Sequence, residues 1–334
     1  MPAEWEPQCF VQLTFPHAGT DWADRLDTVL PCFLDIAAAI SRYEEVLIVC
    51  PDAEELRPQL RGNTDKIRLI EAPSNDTWAR DHGAITIFEN NRPVLLDFVF
   101  NGWGLKFPAN LDNLVTRRMY ESGCWDAEIR HGGLVLEGGG IESDGAGTLL
   151  TTSECLLSPN RNPHLSKSEI ESRLKDLFGL QQVLWLHHGY LAGDDTDSHI
   201  DTLARFCDAG TIAYVRCDDP QDEHYDALQK MEAELRTFRD LAGNPYHLVA
   251  LPWPEAHFDE EGHRLPATYA NFLIINGAVL VPVYQCPQDE AALRIIGHLF
   301  PGREIIGIDC NPLILQHGSL HCVTMQYPVE LKPA

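Results

Sequence analysis

Hydrophobic and polar positions along the chain follow two periods, which together predict an α/β protein. Apolar side chains recur every three to four residues, the spacing of an amphipathic helix, in the segments 21–39, 165–178, 223–241 and 289–299. Short runs rich in β-branched residues lie between them and predict strands: VLIVC from Val46, AITIF from Ala84, VLLDFVF from Val94, TLLTT from Thr148, VLWL from Val183, TIAYV from Thr211, FLIIN from Phe272, AVLVPV from Ala278 and EIIGI from Glu304.

A looser regularity spans the whole chain. Polar clusters, each followed by β-like runs, recur every 51 to 70 residues, and they are DTWARDHG with Asp81, LEGGGIE with Glu137, DDTDSHID with Asp201, ATYANF with Asn271 and HGSLHC with Cys322. This spacing indicates a diverged internal repeat of five units. If the units form a ring, their polar clusters meet at its axis. The alternative is the ordinary alternation of strands, loops and helices in any α/β chain.

Length and composition favour one continuous domain over residues 1–334. The chain is 44% hydrophobic and 22% charged, and no Gly/Ser, Ser-rich or Gln-rich linker divides it. Its first residues, MPAEWEPQCF, lack the basic and apolar regions of a signal peptide. The longest apolar run, 272–283, is too short to span a bilayer. We therefore expect a soluble, cytoplasmic protein with no membrane partner.

The formal net charge of −25 argues against a nucleic-acid partner, because phosphate binding requires basic patches. It favours a cationic ligand through electrostatic steering. The ten cysteines contain no CxxC pair, and their spacing resembles neither a disulfide framework nor a zinc ribbon. Most of them are expected to be buried thiols.

Two of the polar clusters offer carboxylates. Asp81, in NDTWARDHG, directly precedes an apolar strand, where it would meet a ligand; alternatively it forms a surface ion pair with Arg80. Glu137 precedes three glycines, which permit positive φ and a close backbone approach. The pattern of a phosphate-binding loop is absent.

The segment GDDTDSHID places four aspartates and His199 within nine residues. On a strand, His199 and Asp201 would share a face. Neighbouring carboxylates favour the imidazolium form, so that His199 could give and take protons. A divalent metal held by His199 with Asp195, Asp197 and Asp201 is the alternative, although no HExxH or HxH motif supports it.

Cys322 follows a Gly-Ser turn at the start of a final β-like run. A lone cysteine usually belongs to the core, but His199 could serve as the distant base of a nucleophilic thiol. Surrounding carboxylates raise the pKa of a thiol and oppose an oxyanion, which disfavours acyl transfer. They suit a guanidinium, whose N–H groups pair with two carboxylates and whose charge would lower the pKa of the thiol.

These motifs resemble those of the agmatine deiminase/bacterial-type (Porphyromonas-type) peptidylarginine deiminase family of the guanidine-modifying superfamily. The resemblance covers almost the whole chain, and the matching motifs, in the family's order, are EWEP, DTWARDHG, LEGGGIESDGAGTLLTTSECLLSPNRNP, DDTDSHID, ATYANFLIINGAVLVPVY and GSLHCVTMQYP. It implies a five-fold pseudosymmetric α/β-propeller, the pentein fold, built from ββαβ-like units.

The resemblance also implies roles for individual residues. Cys322 matches the nucleophile and His199 the general acid and base. Asp81 and Asp201 match the carboxylates that bind the guanidinium, and Glu137 matches a further acid that holds the substrate or the imidazole. Two more positions line the pocket near the substrate's tail, namely Trp78 and Asp195. The implied hydrolysis of a C–N bond in a linear amidine proceeds through a covalent cysteine intermediate and requires neither a cofactor nor a metal.

The implied substrate is agmatine, and the products are N-carbamoylputrescine, a precursor of putrescine, and ammonia. The cationic tail of agmatine could meet Asp195, whereas free arginine would require a basic partner for its carboxylate. The chain departs from the family where LQHGSLHC replaces a typical GGGNIHC and DSHID replaces NGHVD. Gln316 and His317 thus replace small residues at the edge of the site, and peptidyl-arginine or another small guanidino compound stays an alternative substrate.

Other classes of protein also stay open on the sequence. An amidinotransferase would use the same Cys322 and His199, a metal-dependent hydrolase would not need Cys322, and a binding protein would hold a cation without turnover. A homodimer is compatible with the sequence. The expected partner is a small cationic guanidino substrate.

Overall fold

The computed structural model describes residues 1–328, so the last six residues of the predicted domain 1–334 lie outside the described part. The strands, β1 to β18 in chain order, are Gln8–Thr14, Glu45–Cys50, Ile67–Glu71, Ile85–Glu89, Arg92–Val99, Glu128–Val135, Ile141–Ser143, Thr148–Thr152, Gln182–Leu186, Ala204–Asp208, Thr211–Val215, His247–Leu251, His257–Phe258, Arg264–Leu265, Leu273–Ile275, Ala278–Val283, Glu304–Asp309 and Thr324–Pro328. The α-helices, α1 to α10, are Leu26–Ile40, Ala53–Leu56, Ala79–His82, Gly102–Leu105, Val115–Glu121, Ser153–Leu156, Lys167–Phe178, Tyr225–Leu235, Asp289–Leu299 and Asn311–Ile314. Short 3-10 turns cover Ala23–Arg25, Arg57–Gln59, Thr64–Lys66, Asp112–Leu114, Gly138–Gly140 and Ile200–Thr202.

Every predicted helix and strand overlaps an observed one, which confirms the α/β class. The local signals are clear in α7: Ser166 and Glu169 form a capping box at its start, and Gly179 ends it with a left-handed φ of 69°. The segment predicted as a helix over 223–241 ends earlier, at Leu235. Several strands were not predicted, and these are β1, β3, β6, β7, β10, β12, β13 and β14.

Within residues 1–328, five sheets share one strand pattern, an antiparallel pair followed by a parallel third strand. Four of them are β4-β5-β6, β7-β8-β9, β10-β11-β12 and β15-β16-β17. The fifth joins the two ends of the described chain, because β18 pairs antiparallel with β1 and β1 pairs parallel with β2; β3 extends it. A helix or helical turns lie between the second and third strands of each sheet, which gives the predicted ββαβ order.

Each polar cluster of the sequence directly precedes the first strand of one sheet. Asp81 precedes β4, Glu137 precedes β7, Asp201 precedes β10, Asn271 precedes β15 and Cys322 precedes β18. The clusters therefore occupy equivalent positions in five similar units, as the internal repeat predicts.

Apolar side chains of the sheets and helices form two buried clusters. The larger one includes one face of α1, with Val29, Phe33 and Ile36 fully buried against β1 and β2. The second surrounds β4, β5 and β8. Each fully buried aliphatic or aromatic side chain contributes about 1.5–3 kcal/mol relative to exposure. Nine of the ten cysteines are buried, as predicted.

None of the helices in residues 1–328 combines the length and the apolar character that crossing a bilayer requires.

Candidate active site

Cys322 lies at the end of a turn that the side chain of Asn271 holds in place. The Asn271 amide oxygen accepts the backbone N–H of His321 at 2.8 Å and that of Cys322 at 3.3 Å. The Asn271 amide nitrogen lies 3.3 Å from the Cys322 Sγ and can donate to it. Both side chains are buried. The sequence marks Asn271 only as a position of the internal repeat, because its spacing from Cys322 does not encode the contact with the thiol.

The environment of Cys322 favours the protonated thiol. Burial raises its pKa well above the usual value, and the charges of Asp201 and Asp81 raise it further. The nearest of these carboxylate oxygens, Asp201 Oδ2, lies 3.7 Å from the sulfur. The expectation that surrounding carboxylates raise the pKa of this thiol is confirmed.

His199 is fully buried, and neither ring nitrogen has a hydrogen-bond partner among the described residues. Nδ1 lies 3.7 Å from Asp81 Oδ1 and Nε2 lies 3.9 Å from Glu137 Oε2. Burial lowers the pKa of His199 to about 3, although the charge of Asp201 acts in the opposite direction. The neighbouring carboxylates favour the imidazolium as expected, but desolvation outweighs them and the ring is neutral in this state. The neutral ring can accept a proton.

The local geometry around His199 also differs from the prediction. Ile200–Thr202 forms a 3-10 turn rather than a strand, so the two-residue period does not apply. His199 and Asp201 nevertheless converge, because both approach the backbone of Gly139. A Cβ at that position would lie 2.6 Å from His199 Nδ1, 2.9 Å from Asp81 Oδ1 and 3.1 Å from Asp201 Oδ2.

The glycine run after Glu137 is thus required for close packing. The Gly139 N–H also donates to Asp81 Oδ1 at 2.9 Å. Of the two reasons predicted for these glycines, close approach is confirmed and positive φ is wrong, since residues 138–140 are not in the left-handed region.

Asp81 and Asp201 are both buried, but their surroundings differ. The pKa of Asp81 is raised well above its usual value by burial and by the charge of Asp201, although the Trp103 indole N–H donates to Asp81 Oδ2 at 2.9 Å. Burial would raise the pKa of Asp201 as well, but the hydrogen bond and charge of His321 hold it below its usual value. Asp201 Oδ1 is buried and has no partner among the described residues. Asp201 is therefore an anion with a free acceptor oxygen.

Glu137 is held by an arginine. The Arg161 Nε donates to both carboxylate oxygens of Glu137, at 3.0 and 2.9 Å, and both side chains are fully buried. Burial raises the pKa of Glu137, and the charge of Arg161 opposes this shift. Of the two predicted roles for Glu137, its position favours the contact with the imidazole, because Arg161 occupies both of its oxygens and Oε2 lies 3.9 Å from His199 Nε2.

A pocket leads from the surface to Cys322, and acids and aromatic rings dominate its lining. Its lining residues are Asp21, Asp76, Trp78, Asp81, Trp103, Phe107, Asp195, Thr196, Gln316, His317, Gly318 and Cys322. Trp78 and Asp195 line it as predicted; the Asp195 side chain is 41% exposed, at the mouth. Among these residues there are four carboxylates and neither lysine nor arginine, so the pocket favours a cation.

Arg80, the basic residue next to Asp81 in sequence, points away from this pocket. Its Nε donates to the backbone oxygen of His321 at 3.4 Å, and its Nη2 lies 3.8 Å from Glu4 Oε2. Arg80 is therefore not placed to receive a substrate carboxylate.

The residues of the metal alternative are not gathered around one point. Asp197 pairs with Lys106 and Arg161, each at 2.6 Å, and Asp195 lies at the mouth of the pocket. Ligand atoms of Glu137, Cys155 and His199 lie within 4.8 Å of one another, but Arg161 bonds to both oxygens of Glu137. These contacts do not support the alternative in which His199, Asp195, Asp197 and Asp201 hold a metal.

Comparison with known proteins agrees with this geometry. The family model of the Porphyromonas-type peptidyl-arginine deiminase matches residues 1–328. The chain belongs to this family. The agmatine deiminase of Pseudomonas syringae pv. tomato is 35% identical over 99% of this chain and 96% of its own length.

Several solved structures are similar to this chain over nearly its whole length. A Porphyromonas gingivalis protein, whose name of arginine deiminase is provisional, is 55% identical, covers 98% of both chains and superposes with a TM-score of 0.95. A cysteine-to-serine variant of C. jejuni agmatine deiminase with substrate bound is 40% identical, covers 97% of this chain and 95% of its own, and has a TM-score of 0.91.

More distant structures show the fold alone. DDAH from Pseudomonas aeruginosa is 12% identical with a TM-score of 0.50, and the amidinotransferase SxtG from Microseira wollei is 10% identical with a TM-score of 0.51. The deiminase chain therefore has the α/β pentein fold that these proteins share.

Proposed function

We propose that this protein is an agmatine deiminase, which hydrolyses agmatine to N-carbamoylputrescine and ammonia through a covalent intermediate on Cys322. The observation that carries this proposal is the position of the Cys322 thiol, which lies 3.7 Å from an ionised Asp201 at the end of the pocket. Four aspartates line this pocket, and neither a lysine nor an arginine does. The agmatine deiminases that match nearly the full chain support the same substrate.

The guanidinium binds with its N–H groups on the carboxylates of Asp81 and Asp201, where Asp201 Oδ1 is a free acceptor. Its positive charge lowers the pKa of the Cys322 thiol, because it offsets the two carboxylates that raise it. The thiol proton passes to the neutral ring of His199. This transfer prepares both the nucleophile and the acid.

The Cys322 thiolate then attacks the central guanidinium carbon and forms a C–S bond. His199 gives its proton to one terminal amino group, the C–N bond breaks and ammonia leaves. A positively charged amidino-thioether stays attached to the protein. Asp81 and Asp201 stabilise this cation electrostatically.

Water completes the reaction. His199 takes a proton from a water molecule, and the hydroxide attacks the same carbon. The C–S bond breaks, the hydroxyl proton returns to the sulfur and the ureido product forms. The proton on His199 then passes to solvent, where it balances the protonation of the released ammonia to ammonium, and the thiol and the neutral ring are restored.

Acids along the pocket support agmatine over arginine. Asp76 and Asp21 line it together with Asp195, so an ammonium at the far end of the substrate would be attracted. The α-carboxylate of arginine would meet these acids without a basic partner. Peptidyl-arginine lacks the ammonium that would pair with them.

We further propose that the five sheets close around one axis as a five-fold propeller, and that 1–334 is one catalytic domain. Support comes from the shared strand pattern and from the meeting of the polar clusters at the site. The proposal also places the protein in the cytoplasm as a homodimer. Its partner is a small guanidino substrate, and it binds neither nucleic acid nor a membrane.

The test is ammonia release from agmatine, arginine and a blocked arginyl peptide by the protein and its Cys322→Ala variant, with EDTA present. We expect release from agmatine alone. The variant should lose about four orders of magnitude or more in rate, because the covalent path requires the thiol.

Each other outcome identifies another function. Release from the peptide would make the protein a peptidylarginine deiminase, and activity that survives Cys322→Ala but fails with EDTA would indicate a metal hydrolase. Consumption of agmatine only with an added amine, without ammonia, would indicate an amidinotransferase. Tight binding without turnover would indicate a binding protein.

A further inference from the structure

The residue before the nucleophile, His321, points away from the substrate pocket into a buried group of charges. Its Nδ1 lies 2.8 Å from Asp201 Oδ2, and its Nε2 lies 2.7 Å from Glu4 Oε2. His321 is 1% exposed. It therefore joins a carboxylate of the site to a carboxylate of the chain's N-terminal segment.

Both carboxylates that flank His321 are ionised. Burial alone would raise the pKa of Glu4, but the charges of Arg205 and His321 lower it strongly. Asp201 is held in its charged form by the same imidazole. A histidine ring donates from both nitrogens only when it is protonated, so two anionic acceptors require an imidazolium at position 321.

The charges around this imidazolium balance. Arg205 donates to Glu4 Oε2 at 2.9 Å and to Glu142 Oε2 at 2.9 Å, and Arg80 lies against the backbone oxygen of His321. The group thus contains three acids and three cations, all buried: Asp201, Glu4 and Glu142 with His321, Arg205 and Arg80. The other ionisable groups that face Asp201, from the pocket side, are Cys322, Asp81 and His199.

We propose that His321 is a positioning residue, which keeps Asp201 ionised and oriented for the guanidinium, and that Glu4 is required to hold His321 in this role. This inference rests on the proposed function, since it concerns the carboxylate that receives the guanidinium. Asp201 uses Oδ2 for His321 and thereby leaves Oδ1 free for the substrate. The N-terminal segment is thus a part of the site, although it does not line the pocket.

Loss of the imidazolium would allow a proton onto Asp201. Burial favours the neutral acid, and the hydrogen bond and charge of His321 oppose it. A neutral Asp201 attracts a guanidinium less strongly. The effect belongs to substrate binding and grows as the pH falls.

The test compares His321→Gln and Glu4→Gln with the control Glu142→Gln. Glu142 is an equally buried carboxylate. It accepts hydrogen bonds from Arg205 and from the Phe206 N–H, and not from His321. Affinity for agmatine and for 1-butylguanidine, which does not reach Asp76, is measured by calorimetry between about pH 3.5 and 9, a range that includes the carboxyl and histidine transitions, in a Cys322→Ala background. KM and kcat are measured with Cys322 present, and 1-butylguanidine reports the guanidinium end alone.

Affinity declines at low pH, and we call this part of the pH profile the acid limb. We expect His321→Gln and Glu4→Gln to shift the acid limb to a pH about one unit higher, which corresponds to about a tenfold weaker affinity at a given pH on that limb. KM should rise more than kcat falls, and binding should recover at high pH. Glu142→Gln should unfold at a lower temperature but keep the acid limb of the parent.

If the pH at which affinity declines on the acid side is the same in His321→Gln as in the parent, the inference is wrong. An equal shift in Glu142→Gln would also overturn it, because it would indicate a general effect of the buried charged group. If Glu4→Gln does not fold, as judged by circular dichroism, His321→Gln against Glu142→Gln decides. Failure of the proposed function would look different, because the parent protein would then neither bind nor hydrolyse agmatine.

Discussion

Asp76 is a half-buried acid whose close neighbours include the acids Asp21 and Asp112. The backbone N–H of Asp76 donates to Asp112, and its own carboxylate accepts the N–H of Thr77 at 2.8 Å. Burial, followed by the charge of Asp21, raises the pKa of Asp76 to about 7. A nearby cation favours the ionised form of such a carboxyl, because its charge offsets both the desolvation and the repulsion that keep the proton on it.

We therefore expect KM for agmatine to fall as the pH rises through about 7, since Asp76 is ionised above its pKa and neutral below it. Asp76→Asn should remove this pH dependence and raise KM at higher pH by about tenfold, the worth of one charged hydrogen bond. Steady-state kinetics against pH measure both effects. The tail-free analogue 1-butylguanidine is the control, and an equal change in its KM would place Asp76 at the guanidinium end instead.

At the scale of single elements, the acidic loop before His199, residues 193–198, is held in a fixed conformation by its own aspartates. Asp197 and Ser198 have left-handed φ values of 66° and 62°, and the Asp194 carboxylate accepts the Ser198 N–H at 2.7 Å. Lys106 reaches across and donates to the Asp195 backbone oxygen and to Asp197 Oδ1, each at 2.6 Å. Most of these aspartates thus fix the loop that carries His199 rather than bind a ligand.

Lys106→Met should raise KM for agmatine severalfold, because the loop at the pocket mouth loses its anchor. The free energy of unfolding should fall by less than about 1 kcal/mol, since this ion pair is partly exposed and screened. Lys175→Met is a matched control, for it breaks the Lys175–Glu171 pair of similar exposure on α7. Kinetics and thermal denaturation of both variants provide the comparison. A change of KM in the control as large as that in Lys106→Met would contradict the anchor.

The same elements show how far the sequence could predict the fold and the site. Most strands with continuous apolar runs were found, although β12, HLVAL, was not. β6 was missed because its sequence, EIRHGGLV, contains two glycines and three ionisable residues. Cys322 and Asp81 could be found from local motifs. Glu4 and Asn271 reach the site through contacts between distant segments, which no local period encodes. His199 was identified, but its neutral state depends on burial, which only the packed structure reveals.

At the scale of the whole molecule, the net charge of −25 and the acid-lined pocket act on the substrate together. Agmatine carries two positive charges at neutral pH, and 1-butylguanidine carries one. Long-range attraction increases with the ligand's charge and is screened by salt.

Raising the ionic strength should therefore lower kcat/KM for agmatine, by about three- to tenfold between roughly 0.01 and 0.2 M salt. The decrease should be smaller for 1-butylguanidine. Initial rates at low substrate concentration measure both slopes. Equal slopes, or no dependence on salt, would mean that only short-range contacts in the pocket select the dication.

The pairing of β1 with β18 has a consequence for the order of synthesis. Glu4, β1 and the clusters around Asp81, Glu137 and Asp201 leave the ribosome before Cys322, and translation at about 5–20 residues per second separates Glu4 from Cys322 by tens of seconds. During this time one edge of β1 has no partner, and exposed edges invite pairing with other chains. The growing polypeptide therefore cannot catalyse the reaction before its exposed edge is covered, because the segment that pairs with β1 directly follows the catalytic thiol.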